Sequence, residues 1–395
     1  MHPTERLYYS DCYLREFEAR VVAAEPQAQA FRIYLDRSAF YPDSGGQPSD
    51  HGTINGIPVL EVIDEVDRVA HTLHEKPQGD RVIGQIDWAR RFDHMQQHTG
   101  QHVLSAAFER IGKYKTVSFH LGAEVSTIDL DSDRLGRRQL DEAESLANQI
   151  VFEDREVRIR FTSAAEASRM GLRKPTEREG EVRLIEVPDF DLSACGGTHV
   201  SRTGAIGLVL VRKLERVKGM TRVEFVCGGR ALAAARADFS HLSEAAKLFS
   251  GACENVPALI GKQIEEQRAL VRGREKLVKR VAEYAAQELL ATAPERTGRK
   301  IIRKIFAADD TDEAKLTAHA IARQPGAVAL IGVKGTPALL CFAQSPGGPS
   351  DMGSTLKQTV AKVGGKGGGT RDFAQGGGLD EAKLDEALEF AESLL

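Results

Sequence analysis

The 395-residue sequence lacks several features that would assign it to a special class of proteins. No apolar run approaches the roughly 20 residues of a membrane-spanning helix, which argues against a membrane protein. The five cysteines are an odd number, are scattered and show no disulfide spacing, so a reducing compartment, the cytoplasm, is expected. The polar N-terminus has no basic start followed by an apolar core, so no signal peptide is expected.

An excess of charge of one sign is also missing. The formal net charge is only −4, which argues against a protein that coats nucleic acid through bulk charge but is compatible with a local basic surface. With 42% hydrophobic and 28% charged residues, the composition is that of a soluble globular protein. The length predicts two or three domains.

Two short clusters of potential metal ligands occur in distant parts of the chain. The first, His98-Thr99-Gly100-Gln101-His102, precedes an apolar run of helical periodicity and is expected on a helix. Residues four apart share a helix face, so His98 and His102 can point at one ion. The second, Cys195-Gly196-Gly197-Thr198-His199, has the same spacing. Its two glycines predict a turn that bends the thiolate and the imidazole toward a common point.

The four side chains together offer three nitrogens and one sulfur, a donor set that suits a tetrahedral zinc ion. A histidine pair with this spacing is by itself more often an ordinary surface or core feature. The cysteine–histidine segment, with glycines where the geometry demands them, makes Zn²⁺ the favoured prediction. Because four protein ligands complete a tetrahedron, a closed structural zinc remains an alternative to a reactive one.

The pattern of predicted elements gives the fold class α+β, with four regions. Short strands separated by turn signals predict a small antiparallel β-barrel over residues 1–90. Residues 91–230 are expected to form an α+β domain that contains the zinc site, with a helix starting near Asp141. A narrow apolar stripe over 231–295 predicts a long helical hairpin or coiled coil, and 296–395 predict an α/β domain rich in glycine.

Three further segments could contact a ligand. In the motif from Phe40 to Gly52, a Ser-Gly-Gly turn can present backbone amides to a phosphate or carbonyl, although an ordinary hairpin turn is equally compatible. Arg202 opens a locally basic stretch, which is either a solvated face or a phosphate contact. The run from Gly364 to Gly378 contains Lys366 and Arg371 and is either a flexible linker or a loop that approaches a phosphate or base.

Taken together, these motifs resemble the alanyl-tRNA editing proteins of the AlaX family, in their long form, and the editing half of alanyl-tRNA synthetase. The resemblance covers nearly the whole chain. It rests on the motif from Phe40 to Gly52, on His98 and His102, and on the segment from Cys195 to Gly207. The terminal glycine run resembles the DHH-associated RNA-binding domain that ends the long AlaX form and the synthetase.

This resemblance implies a hydrolase that removes a wrong amino acid, serine and also glycine, from alanine tRNA in trans. A synthetase pocket shaped for alanine cannot reject the smaller glycine by size, and serine adds only one hydroxyl, so a second hydrolytic step is useful. Zinc would orient the aminoacyl group while a water attacks the ester carbonyl. The sequence leaves open whether the metal also activates that water.

The resemblance also suggests roles for individual residues. Thr116 aligns with the family's hydroxyl-reading threonine, and strand alternation places His120 on the same face as a proton-transfer residue. Gln47 and Asp50 are expected near the tRNA terminus, while Arg202, Lys366 and Arg371 are expected to contact tRNA. Misacylated alanine tRNA is the expected partner, and a homodimer through the C-terminal region is expected.

Two other functions remain open at this point. One is editing of another misacylated tRNA, because threonyl-tRNA synthetase carries a related zinc-ligand pattern. The other is a non-catalytic RNA-binding protein with a structural zinc. The sequence does not distinguish between serine and glycine as the preferred substrate.

Overall fold

The computed structural model describes residues 3–175, 180–296 and 298–395. The chain divides into two compact units, Met1–Glu244 and Ala245–Leu395. Among the described helices, none has both the length and the apolar character that crossing a bilayer requires. The first unit contains every residue of the two predicted ligand clusters.

The N-terminal part of the first unit is a closed antiparallel barrel in the strand order β2-β3-β7-β6-β5-β8. Alternation in its last strand turns Val82, Gly84 and Ile86 inward, as a half-buried strand requires. The turn Asn55-Gly56 between β5 and β6 has both residues at positive φ, the backbone that a two-residue hairpin favours. The strands are β1 Glu5–Arg6, β2 Glu16–Gln27, β3 Ala30–Leu35, β4 Arg37–Ser38, β5 Gly52–Ile54, β6 Ile57–Glu65, β7 Arg68–Leu73 and β8 Arg81–Ile86.

The rest of the first unit packs a long central helix, α1, against a sheet of order β14-β15-β10-β9, beside a second sheet of order β11-β12-β13. Asp87 caps α1 by accepting a hydrogen bond from the Arg90 amide, and Lys113 ends it in the left-handed conformation. The elements are α1 Trp88–Gly112, β9 Thr116–Leu121, β10 Ser126–Leu130, α2 Arg137–Phe152, β11 Arg158–Ser163, α3 Ala164–Ala167, β12 Glu181–Val187, β13 Asp191–Ala194, β14 Val209–Val217 and β15 Met220–Cys227. Helix α2 begins at Arg137 and not near Asp141 as predicted.

Helix α1 is buried over most of its length because it lies between other elements. Its apolar side chains Val103, Leu104 and Phe108 join a core with residues of α2 and of the four-stranded sheet. Its polar residues from Gln97 to His102 are also buried. Since buried polar groups need partners, this helix must carry a network of hydrogen bonds.

The C-terminal unit is built around a six-stranded sheet of order β16-β17-β18-β19-β21-β20, with helices on both faces. Strand β18 is buried along its whole length, as expected for a strand covered on both sides. Helix α4, Gly228–Leu248, includes the boundary between the two units. The elements that follow it are α5 Val256–Thr292, β16 Glu295–Arg296, β17 Arg299–Phe306, α6 Thr311–Ala322, β18 Ala327–Val333, β19 Ala338–Gln344, α7 Met352–Val363, β20 Lys366–Gly369, β21 Phe373–Leu379 and α8 Leu384–Ser393.

One expectation for this unit is corrected. The glycine run is not a loop or a linker, because β20 and β21 pair as an antiparallel hairpin with Gly367 opposite Gly376. Helix α5 has 37 residues and so is about 55 Å long. Its predicted stripe is not covered along most of the helix, since Ile260, Ile264 and Val281 are 42–48% exposed.

Candidate metal centre

The two ligand clusters meet in the first unit. The ligand atoms of His98, His102, Cys195 and His199 lie within 4.8 Å of one another. Cys195 Sγ is 3.4 Å from His98 Nε2 and 3.3 Å from His199 Nε2. In a zinc tetrahedron, Zn–N bonds of about 2.0 Å and Zn–S bonds of about 2.3 Å separate the sulfur from each nitrogen by about 3.5 Å. The donor types and their spacing therefore fit Zn²⁺.

Each of the three imidazoles is held by a partner on its far side. His98 Nδ1 donates to Gln47 Oε1 at 2.8 Å, and His102 Nδ1 donates to Asp191 Oδ2 at 3.0 Å. His199 Nδ1 lies 3.2 Å from Thr99 Oγ1. The carbonyl of Gln47 and the carboxylate of Asp191 only accept, so these bonds leave Nε2 of both histidines free to bind a metal.

The charges in the site are arranged around Cys195 and Asp191. Burial disfavours the thiolate, but the charges of His98 and His199 outweigh it and hold the pKa of Cys195 well below its ordinary value. Burial also opposes ionisation of Asp191, but its hydrogen bond with His102 and the charge of Arg173 lower its pKa to about 2. Cys195 is therefore ready to act as an anionic ligand.

Glycine at position 197 is required because the ligand loop, Cys195 to His199, lies close against helix α1. A Cβ atom there would lie 2.2 Å from His98 Cε1, where no real contact is tolerated. The amide of Thr198 donates to Gln47 Oε1, and Gln47 Nε2 donates back to Thr198 Oγ1 at 2.8 Å. Gln47 thus connects three segments: the glycine motif from Phe40 to Gly52, helix α1 and the ligand loop.

Gln47 and Asp50, which were predicted near the tRNA terminus, already have partners inside the protein, and their contact with tRNA stays a prediction. Both side chains are fully buried. Gln47 orients His98, and Asp50 forms a buried ion pair with Arg91 while accepting a hydrogen bond from the Tyr41 amide. Both residues hold the glycine motif against helix α1 from within the protein.

A bulge in β9 separates the two predicted catalytic residues. The pairing with β10 shifts between Asp129 and Leu130, so that Ser118 pairs with the former and Thr116 with the latter. This shift inverts the alternation, because a bulge adds one residue to one strand only. Thr116 consequently shares the inner face with Phe119, and the expectation that His120 lies on the face of Thr116 is wrong.

Thr116 lies on the side of the metal centre, whereas His120 does not. Phe119, on the same face as Thr116, has its ring centre 5.2 Å from that of His98. The Thr116 hydroxyl donates to Ser105 Oγ at 2.7 Å, and Ser105 also receives a hydrogen bond from Gln101 on α1. His120 is exposed on the outer face. Of the two predicted catalytic residues, Thr116 is the better placed.

Arg202 and the basic stretch that follows it are largely neutralised by carboxylates. Arg202 Nε donates to Asp154 Oδ2 at 2.6 Å on the surface, and the predicted phosphate contact of this guanidinium stays a prediction. Other ion pairs of the stretch join Arg212 to Asp238, Lys213 to Glu215 and Arg222 to Asp129. Lys366 and Arg371 belong to the C-terminal unit, where both are exposed at the glycine hairpin.

Sequence reasoning missed the residues that orient the ligands. Asp191 precedes Cys195 by four residues, and Thr99 directly follows His98. Nothing in their local sequence marks them, since an aspartate and a threonine are common everywhere. The available signal was general: a metal-bound histidine needs an acceptor for its second nitrogen.

Comparison with known families agrees with this site. Residues 182–224, which include Cys195 and His199, match the model of the "Threonyl and Alanyl tRNA synthetase second additional domain". Residues 276–395 match the DHHA1 domain. The chain thus belongs to the class of proteins that join an additional domain of these synthetases to a DHHA1 domain.

Individual relatives narrow the class. The chain is 29% identical over 405 residues to the alanyl-tRNA editing protein AlaX-L of Pyrococcus horikoshii, covering 98% of this chain and 97% of that protein. It is 32% identical to the alanine–tRNA ligase of Pyrococcus abyssi but spans only 44% of that enzyme. A match to the C-Ala domain of the Aquifex aeolicus synthetase has 21% identity, 26% coverage of this chain and a TM-score of 0.25. Along nearly its whole length the chain is therefore similar to the AlaX family of alanyl-tRNA editing proteins, and both matched domains fit that similarity.

Proposed function

We propose that the protein is a zinc-containing aminoacyl-tRNA hydrolase that removes serine, and also glycine, from mischarged alanine tRNA in trans. The observation that carries the proposal is the convergence of His98, His102, Cys195 and His199, with outer partners that turn Nε2 of His98 and His102 toward one point. The similarity to an alanyl-tRNA editing protein along the whole chain supports the substrate class.

These residues would hold the metal and position the ester. Bound there, zinc would supply a Lewis acid next to the ester carbonyl. Thr116 would read the serine hydroxyl, since it lies on the inner face of β9 together with Phe119. A hydroxyl that bonds Ser105 can exchange that bond for one with a substrate hydroxyl at small cost.

The test combines metal analysis with deacylation assays on alanine tRNA that is charged with serine, with glycine or with alanine. We expect one zinc per chain, release of serine and glycine, and sparing of alanine. Release of alanine at the same rate would contradict an editing function.

A non-catalytic RNA-binding protein with a structural zinc is the second candidate. It is favoured by one observation, namely that four protein ligands leave no position open on a tetrahedral ion. The same assays separate the two functions: tRNA binding with zinc present and no turnover on any aminoacyl-tRNA would establish the structural role.

The homodimer stays a proposal, supported by the uncovered face of α5. Leu270, Leu277 and Tyr284 are 60–73% exposed on this helix, and apolar side chains grouped in this way are typical of association surfaces. Light scattering should give the mass of a dimer for the full chain and a monomer for Leu270→Glu. A cytoplasmic location also stays a prediction.

A further inference from the structure

His94 lies on α1 one turn before His98 and takes no part in the metal centre. Its side chain is only 2% exposed, and its imidazole forms no hydrogen bond with any described residue. Its Nδ1 atom is buried without a partner. Because buried polar atoms are almost always paired, an unpaired imidazole at this position points to a ligand outside the chain.

The strongest charge effects on His94 come from cationic groups. Arg90, Arg91, Arg230 and His51 each oppose its protonation, and burial together with these charges lowers the pKa of His94 to about 3. The ring is therefore neutral and has cationic side chains around it.

Two of the three arginines have carboxylate partners, and Arg90 does not. Arg91 is paired with Asp50, and Arg230 is paired with Asp93. Arg90 forms no ion pair with a described residue; its Nε donates to the carbonyl of Ser49, and its terminal amino groups have no partner in the described chain. Arg90 thus leaves an uncompensated positive charge beside His94, and the exposed imidazole of His51 lies near it.

The distance from the metal centre suits a specific anion. His94 and His98 occupy the same face of α1, one turn apart, which is about 6 Å along the axis. The ester in the proposed reaction is carried by the terminal ribose of tRNA. The nearest phosphodiester is one sugar away from the ester. A substrate with its ester at His98 and its 5′ side toward the N-terminal end of α1 would place that phosphodiester at the level of His94.

The neighbouring backbone holds these groups in place. The Ser49 carbonyl fixes Arg90 from the glycine motif, and the Gly122 carbonyl accepts a 2.8 Å hydrogen bond from Arg230 at the end of β9. The amide of Leu121 donates to the carbonyl of Gly46, which joins the same two segments. These cationic side chains are therefore supported by the elements that also surround the metal centre.

We propose that His94, Arg90 and His51 form a binding site for the phosphodiester group nearest the aminoacylated ribose of tRNA. The site would anchor the 3′ end so that the ester reaches the metal centre. This inference rests on the proposed function, because it takes the ester position from that reaction.

The experiment compares two small substrates on the full-length zinc protein. One is adenosine esterified with serine at the ribose 2′/3′ hydroxyls, and the other is the same ester of adenosine 5′-monophosphate. We expect kcat/KM to be at least about tenfold higher for the phosphorylated ester, mainly through KM, since a charge-assisted contact contributes about that factor.

Arg90→Gln and His94→Leu should reduce this ratio toward one. Arg20→Gln removes the same charge from an exposed position on β2 and should keep the ratio of the unmodified protein. An unchanged ratio in both Arg90→Gln and His94→Leu would overturn the proposal. His94→Leu should unfold at no lower temperature, because it removes an unpaired buried nitrogen; if it fails to fold, His51→Gln replaces it.

Two further measurements separate the proposal from its premises. If the protein hydrolyses no aminoacyl ester, the proposed function fails, and calorimetric binding of adenosine 5′-monophosphate then tests the site alone. Weaker binding by Arg90→Gln would support the site, and equal binding would overturn it. Binding of inorganic phosphate that depends on Arg90, without any gain from the nucleotide phosphate in turnover or binding, would also overturn it.

Discussion

Two glycine-rich segments of this protein use the same residue for different purposes. In the ligand loop of the first unit, Gly197 brings the backbone against an imidazole, since a Cβ there would lie 2.2 Å from His98 Cε1. In the hairpin of the C-terminal unit, the glycines bring backbone against backbone. A Cβ on Gly369 would lie 2.2 Å from the Phe373 carbonyl oxygen, and one on Gly367 would lie 2.7 Å from Gly376 Cα.

The difference shows why glycine alone does not identify a chemical site. The ligand loop is surrounded by buried groups that titrate or bind metals, and Gln47 bonds both His98 and Thr198. The hairpin is an edge of a sheet with exposed Lys366 and no comparable network among the described residues. A glycine-rich segment marks close approach, and the neighbours decide what the approach is for.

The largest expected effect comes from removing a ligand. His102→Ala should abolish zinc binding and lower deacylation by more than about a hundredfold, the upper end of effects seen for outer-shell changes. Metal content and single-turnover hydrolysis measure the two losses. His71→Gln is the control, because His71 is a fully buried histidine of the barrel that bonds Ser38 and the Ile33 carbonyl. Full activity of metal-free His102→Ala would refute the site.

The comparison of the two glycine segments can be tested directly with matched alanine substitutions. Gly197→Ala must displace His98 and should reduce zinc affinity and turnover by about a hundredfold. Gly368→Ala should leave both unchanged, since its Cβ would meet only the end of Lys357 at 3.8 Å. Zinc titration and thermal unfolding distinguish the two; equal losses would mean that the hairpin glycines matter for the metal centre.

A smaller effect is expected from an orienting residue. Gln47→Leu leaves His98 Nδ1 without its acceptor and should weaken zinc about tenfold while the protein stays folded. Competition with a chelator of known affinity gives the change. Gln85→Leu, on exposed β8 of the same barrel, is the control. An unchanged zinc affinity in Gln47→Leu would show that packing of the loop alone orients His98.

The ligand set was predictable because its spacing is chemically restrictive. Two histidines four apart on a helix, and a cysteine and a histidine around two glycines, leave few uses other than metal binding. The bulge in β9 was not predictable, since no glycine or proline marks Val117. Because of this bulge, His120 lies on the opposite face of the strand from Thr116. The burial of Asp50 was also hidden, because its partner Arg91 is 41 residues away in sequence.

The smallest effect concerns the proposed tRNA contact of the hairpin. Lys366→Gln should weaken tRNA binding only about threefold at physiological salt, because one exposed lysine supplies one phosphate contact. The slope of log affinity against log salt should fall by about 0.7–0.9, which distinguishes a lost phosphate contact from a lost fold. Lys304→Gln, at an exposed lysine on β17 of the same sheet, is the matched control.

If both variants lose the same affinity, the hairpin has no special role, and its glycines serve only to pack two strands closely. If Lys366→Gln alone weakens binding while seryl-adenosine is hydrolysed normally, the two glycine segments divide recognition and chemistry between them.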